Sequence, residues 1–396
     1  MGRRIIVAGV VSMLVLTVTL SREFYNRTSA DPFFSLTLAG FLFVFFSIAR
    51  WPILDVLQLS ATTLILACLQ VLVLRIDFKA LPAFALLGVA GFALQADRWL
   101  RSAREEKSSW YAFLPPFLLA LAQYFGSSSL ALTGKLHPKT LDLALYGFDQ
   151  SLGLQLSCVI GRFVLRSRLL TKIAVGVYYV LPLPLMFVYA RQLLRRKSLA
   201  LNAFLAFLIA GPLGVVFYNL VPACGPIYLL GSRFPWQPLA VQQLGEPFMA
   251  SVAAARNAFP SLHMSWALLI WWYSKGLSWW TRLGLFGFLV GTALAIMGVG
   301  EHYFVDLVAA FPMALMIESI CSPQLPIQNR RRLSPWLTAL GCLLGWVCLL
   351  RSGVQITSHI ISWSLVLASI SASLVLHARL QSAIFLTLES SELSSE

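Results

Sequence analysis

Two short stretches of this chain hold side chains of the kinds that move a phosphoryl group. In Phe259-Pro260-Ser261-Leu262-His263, a proline and a serine precede an apolar run, so a helix is expected to start there. Such a start presents backbone N–H groups and the positive end of the helix dipole, where an anion can dock. In Gly300-Glu301-His302-Tyr303-Phe304-Val305-Asp306, His302 and Asp306 are four residues apart, and on a helix they share one face. The carboxylate is then placed to accept the Nδ1 proton, which orients the imidazole and makes Nε2 more basic. Two imidazoles, one oriented by a carboxylate, suit a reaction in which one attacks phosphorus and the other protonates the departing alkoxide. Taken singly, each motif also fits a histidine that only caps its own helix. Two histidines and an aspartate also form a possible metal set, but Glu301, the one further carboxylate nearby, would point elsewhere on a helix. His137, His359 and His377 stand alone and read as structural.

The elements that position these motifs are membrane helices. Of 396 residues, 58% are hydrophobic and 12% charged, about half the charge with which a soluble domain covers its surface. The net charge of +14 fits membrane orientation and anionic headgroups, and no basic, aromatic-interleaved stretch points to nucleic acid as a partner. Six cysteines without CxxC spacing give neither a disulfide framework nor a zinc site. Met1-Gly-Arg-Arg and the apolar run after it have the charge layout of a signal peptide, yet lack a convincing small-x-small cleavage site, so a retained first helix is expected.

A bilayer core takes about 20 apolar residues of helix. That length predicts twelve spans, near 5–20, 33–48, 52–74, 80–96, 110–133, 170–189, 200–221, 261–275, 283–299, 303–321, 336–350 and 355–376. With a cytoplasmic N-terminus, 17 of the 30 basic residues fall on the cytoplasmic side. Both termini are therefore expected in the cytoplasm. Two long connections, 134–169 and 222–260, face outward, and this topology places His263 and His302 together on that outer face. Leu141 to Leu154 is expected to lie in the membrane interface. The Gly-, Pro- and aromatic-rich connection 222–260 is expected to be a fixed irregular cap over a cavity.

At Pro260-Ser261-Leu262-His263 and His302 to Asp306 the chain resembles the membrane-bound type 2 phosphatidic acid phosphatase superfamily, which is related to vanadium haloperoxidases. Leu262, the run Gly300-x-His302-Tyr303-x-x-Asp306 and the stretch Tyr218 to Tyr228 are similar to the inositolphosphotransferase, or inositol phosphorylceramide synthase, branch. The resemblance spans roughly 110–321. It implies His302 as the nucleophile that forms a phosphohistidine, Asp306 as its orienting partner, His263 as general acid, and Ser261 with its backbone N–H as a phosphate contact. It also implies no metal or organic cofactor. Ala295 and Ile296 stand where the phosphatase pattern has Ser-Arg, and the upstream Lys-x6-Arg-Pro motif is absent. Phosphate charge then falls to other outer-face residues, Arg233, Lys135, Lys139, Arg162 and, first among them, Arg256, seven residues before His263.

The expected fold class is thus an all-α, polytopic membrane bundle of about 12 spans. Its expected parts are a four-span segment over 1–109, a six-span catalytic core over 110–321, and a two-span segment with a polar tail over 322–396. The expected partners are the bilayer, a phospholipid or lipid-linked phosphate substrate, and a lipid or sugar alcohol acceptor. The alternatives are a lipid phosphate or polyprenyl diphosphate phosphatase and, outside enzymes, a catalytically silent lipid-binding protein or a transporter.

Overall fold

The computed structural model describes residues 13–47, 52–101, 114–244, 250–251 and 254–393. Among these there are helices and no strands. In chain order the helices are α1 (Arg22–Ala30), α2 (Pro32–Ala39), α3 (Phe41–Ser47), α4 (Pro52–Leu74), α5 (Ala80–Arg101), α6 (Leu114–Leu136), α7 (Asp142–Ser151), α8 (Leu156–Leu165) and α9 (Arg168–Val180). They continue as α10 (Pro182–Arg195), α11 (Lys197–Leu220), α12 (Pro226–Leu230), α13 (Leu262–Tyr273), α14 (Trp279–Gly298), α15 (Phe304–Ile320), α16 (Arg330–Arg351) and α17 (His359–Leu393).

Six of these helices are long and apolar enough to cross a membrane: α4, α5, α11, α14, α16 and α17. Two bent pairs, residues 22–47 with a bend of 103° and α9–α10 with one of 44°, raise the number to eight if each is one span. The expected twelve are not reached among the described residues. Helix α13, over the expected 261–275, has 12 residues, and α15, over 303–321, has 17. At about 1.5 Å per residue they are roughly 18 and 25 Å long, short of a hydrocarbon core of about 30 Å. Both are buried on nearly every side, so protein contacts account for their apolarity as fully as lipid would. Half of the expected span 5–20, residues 5–12, lies outside the described residues.

The chain packs into two compact units. In the first, from 1–125 and 179–204, α5 packs against α2, α3 and α4, and α10 against α2 and α3. Asp55, the clearest intramembrane charge in the sequence, is buried and paired with Arg98. The same guanidinium donates to Gln58 at 3.0 Å and lies over the Phe45 ring.

The second unit, from 126–178 and 205–396, carries both histidine motifs. Its central helix is α15, packed by α7, α13, α16 and α17, with fourteen of seventeen residues buried. Serine sets the start of α13: the Ser261 hydroxyl accepts from the Met264 N–H at 3.3 Å, as an N-cap. Ser278 does the same for α14. Far down α15 from His302, the buried Glu318 accepts from His377 Nδ1 at 2.7 Å and from the Gln381 amide, both on α17. The His377 ring stacks on Trp272 of α13 at 4.0 Å. The three helices are thereby tied at the ends away from the motifs.

The described parts of 222–260 are irregular, as expected, apart from α12 and two short 3₁₀ turns. Several of their backbone groups are satisfied by protein. Leu141 N–H donates to Pro222 O at 2.7 Å, Ala258 N–H to Ala223 O at 3.0 Å, and Ile227 N–H to Gly300 O at 2.9 Å. Gly225, at φ 115°, runs so close to Glu301 that a Cβ would collide with its carbonyl. Gly300, at φ 83°, ends the turn after α14, where a Cβ would meet Ile227 and Phe234.

Candidate active site

His302, Asp306, Ser261 and His263 converge. Helix α15 begins at Phe304, so His302 lies before its first turn, in the connection from α14. This corrects the expected geometry, in which a helical i, i+4 pair would hand the Nδ1 proton to Asp306. Nδ1 instead lies 2.9 Å from the Ala258 carbonyl, with Asp306 Oδ2 farther away at 3.4 Å. A carbonyl oxygen can only accept, so Nδ1 carries the proton and Nε2 keeps its lone pair. Nε2 faces the Ser261 hydroxyl at 3.3 Å. The backbone of His302 is held too, since Ser157 Oγ donates to its carbonyl at 2.9 Å. The side chain is 2% exposed. Burial pulls the imidazole pKa down to about 4, against the opposing pull of the Glu301 carboxylate and the Ala258 carbonyl, so it is neutral at pH 7.

Asp306 caps its own helix. Oδ2 accepts from the Tyr303 N–H at 2.7 Å, while Oδ1 is buried without a hydrogen-bond partner. The next two amides of this helix start are taken by another carboxylate: Asp149 of α7 accepts from Phe304 N–H at 2.7 Å and from Val305 N–H at 3.0 Å. Asp142, seven residues earlier, accepts from Cys224 and Gly225 N–H at 3.0 and 2.8 Å and from the Tyr303 hydroxyl at 2.9 Å. Both carboxyls are fully buried. Desolvation pushes Asp149 up to about 8 and raises Asp142 as well.

Across from this turn, His263 sits at the second position of α13. Its ring packs on Tyr178 with centroids 4.1 Å apart and lies 6.2 Å from the ring of His302. The Ser261 backbone N–H, expected to meet phosphate, donates to Asp306 O at 3.1 Å. The Tyr218 hydroxyl is hydrogen-bonded to the backbone of Leu262.

Arg256 stands apart from this cluster in what it does. It is fully buried, and its guanidinium is spent on the chain itself: Nε donates to His137 O at 2.7 Å, and the terminal nitrogens face the carbonyls of Gly134, Ala250, Ser251 and Ala254 and the sulfur of Cys224. In this arrangement it pins the segment that carries Ala258, two residues on. The singly placed histidines are bonded as well: His137 to Asn219 at 2.8 Å and His359 to Ser151 O at 2.6 Å. Among the described residues no three His, Cys, Asp or Glu side chains gather as a metal site.

Sequence reasoning missed Asp142, Asp149, Ser157, Tyr178 and Ala258. One signal was available: Asp142 and Asp149 are seven apart in an otherwise apolar segment, two helical turns, so both fall on one face. Nothing in the sequence marked Ala258, because its contribution is a backbone carbonyl.

No curated protein and no solved structure gives a significant match to the chain. Residues 143–320 match the family model of the PAP2 superfamily. This stretch lies within the expected core of 110–321 and contains Asp149, Arg256, Ser261, His263, His302 and Asp306. The match points to phosphatase or phosphotransferase activity on a phosphate-bearing substrate, and it supports the type 2 phosphatidic acid phosphatase superfamily for the part of the chain that carries the site.

Proposed function

We propose that this protein is an integral-membrane phosphoryl-transfer enzyme that works through a phosphohistidine on His302, acting on a phospholipid or lipid-linked phosphate. The observation that carries the reading is the state of His302: a buried neutral imidazole, its Nδ1 proton held by Ala258 O, its Nε2 lone pair directed to the start of α13. In the first half-reaction Nε2 attacks phosphorus, an N–P bond forms and the P–O bond to the leaving group breaks. Burial and the neighbouring His302 pull the free His263 imidazole down to about 3, so it acts in this step as the imidazolium that the bound phosphate's negative charge stabilises, and it gives that proton to the departing oxygen. As the His302 ring becomes cationic, the Asp306 carboxyl, with Oδ2 3.4 Å from Nδ1, is the group available to stabilise it. In the second half-reaction an oxygen nucleophile attacks the phosphohistidine, His263 takes its proton, and His302 returns to neutral.

The identity of that nucleophile separates a phosphatase from a transferase. The closed surroundings of His302 favour an alcohol over water, in line with an inositolphosphotransferase-like reaction. The reading also places the site on the extracytoplasmic face and both termini in the cytoplasm. Arg256 enters as the residue that pins the segment behind the nucleophile, and the phosphate meets the α13 start and the Ser261 hydroxyl.

The test is lipid mass spectrometry on purified protein in vesicles of phosphatidylcholine with phosphatidic acid, phosphatidylinositol, a polyprenyl diphosphate, diacylglycerol and ceramide, with His302→Ala as control. A new phospho-headgroup on diacylglycerol or ceramide supports the transferase; release of inorganic phosphate supports the phosphatase. Identical products from the two proteins, with no acid-labile phosphohistidine in the wild type, would end the reading.

A further inference from the structure

The connection α7 was expected only to rest in the membrane interface, yet it supplies two buried carboxylates to the site region. They lie on one helical face, and neither belongs to either histidine motif. Asp142 takes two amides of the 222–225 turn and the Tyr303 hydroxyl. Asp149 takes the N–H groups of Phe304 and Val305, the first two residues of α15, one on each carboxyl oxygen. A carboxylate from a distant helix therefore occupies the place where a local capping side chain would normally sit. Tyr303 N–H goes to Asp306, so three successive amides after His302 are bound by two carboxylates.

We infer that Asp149 is a positioning residue for phosphoryl transfer: by gripping the Phe304 and Val305 amides from α7, it fixes the turn that aims His302 at phosphorus and keeps Asp306 beside the ring. This rests on the reading of His302 as the phosphoryl acceptor. Three features point beyond a plain structural cap. The gripped amides are two and three residues from the nucleophile. Ser157, at the start of α8, holds the His302 carbonyl at 2.9 Å. Burying a carboxyl costs free energy that α7 could have avoided with an apolar residue at that position. The energetic logic is orientation: a nucleophile displaced by about 1 Å loses on the order of 10²-fold in rate without losing its substrate.

The decisive variant is Asp149→Asn, which keeps size and one acceptor oxygen but sets an NH2 group against the second amide. On phosphatidic acid in phosphatidylcholine vesicles, or whichever component of the mixed vesicles the wild type turns over, kcat is expected to fall at least about 10-fold with KM within about twofold. With histidine labelled at the ring nitrogens, the resonances of His302, assigned by their loss in His302→Ala, are expected to shift or broaden while those of His137 stay in place. A folded Asp149→Asn protein with wild-type kcat and unchanged His302 signals would overturn the inference.

Amide exchange on the wild type gives a test that needs neither the variant's folding nor turnover. Strong protection at Phe304 and Val305 is expected, and exchange at the rate of unbonded loop amides would refute the grip. Should the wild type turn over no lipid phosphate at all, the phosphoryl-transfer reading fails by itself, while the exchange and ring-nitrogen measurements still decide whether Asp149 orients His302.

Discussion

Helices α13 and α15 start side by side at the site, and they are capped in opposite ways. At α15 the first amides are taken by carboxylates, Asp306 on Tyr303 and Asp149 on Phe304 and Val305. At α13 the cap is a neutral hydroxyl, Ser261 on Met264, with the Tyr218 hydroxyl on Leu262. The macrodipole favours negative charge at either start. At α15 the first amides are already taken by the protein's own carboxyl groups, which leaves a phosphate no donors there. At α13 the caps are uncharged, and the proposed mechanism leaves the dipole's preference for the substrate. In the proposed mechanism one helix start holds the nucleophile still and the other receives the anion, and a sequence scan for helix N-termini does not separate them.

Substitutions at the two starts should break or sharpen this contrast. On the α15 side, His302→Ala should abolish turnover, by at least about 10³-fold, and remove any acid-labile phosphoprotein, with a native elution profile in detergent. On the α13 side, His263→Ala should cost about 10²–10³-fold on a lipid phosphate but much less on an aryl phosphate, whose leaving group needs no proton. Equal losses on both substrates would show that His263 is not the acid. Between the two starts lies the segment pinned by Arg256. Arg256→Leu strips several buried carbonyls of their donor and should lower stability by about 3 kcal/mol, read as a lowered thermal midpoint. If Arg256→Leu instead left the midpoint alone and raised KM strongly, Arg256 would be a phosphate contact.

Ser261→Ala removes the N-cap of α13 and the hydroxyl facing Nε2, worth about 1 kcal/mol, and should reduce kcat/KM about fivefold. Smallest is a pH effect on the nucleophile. With His302 pulled down to about 4 by burial, its attacking neutral form persists above that pH, so the acid limb of kcat/KM is expected near pH 4 instead of near 6.5. Because the Glu301 carboxylate pulls the other way, Glu301→Gln should move that limb to still lower pH. A limb that stays put would show that Glu301 does not act on His302.

The first unit teaches a related lesson about buried charge. There Asp55 meets Arg98, an ordinary pairing that neutralises a lone membrane acid. In the second unit Asp142, Asp149 and Asp306 accept hydrogen bonds from backbone amides, and Asp142 also from a tyrosine hydroxyl. Pairing an ionised acid requires a cation. Holding a turn requires only acceptors at fixed positions.

Much of this was legible from residue types and spacing. Apolar content dictated membrane helices, and Pro260-Ser261 dictated where α13 starts, because proline and a capping hydroxyl act within a few residues. The two histidine motifs, and through them the resemblance that the match over 143–320 supports, lie in short local words. The number of spans was less legible, since α13 and α15 are apolar through burial in protein, and hydropathy reads that as it reads lipid.

What the sequence determined alone is therefore local: an all-helical membrane chain, the start of α13, and which imidazoles and carboxyls stand close together along the chain. What only the tertiary structure decided is who bonds to whom across long separations. Ala258 O accepts the hydrogen bond of His302 Nδ1–H, Arg256 spends its donors on carbonyls as far back as Gly134, and Asp149 reaches the amides of α15. The reason is physical. A cap or an i, i+4 pair is set by bond geometry within a few residues, whereas a backbone carbonyl or a distant carboxyl becomes a partner only when packing brings its segment near, and no period or residue type records that beforehand.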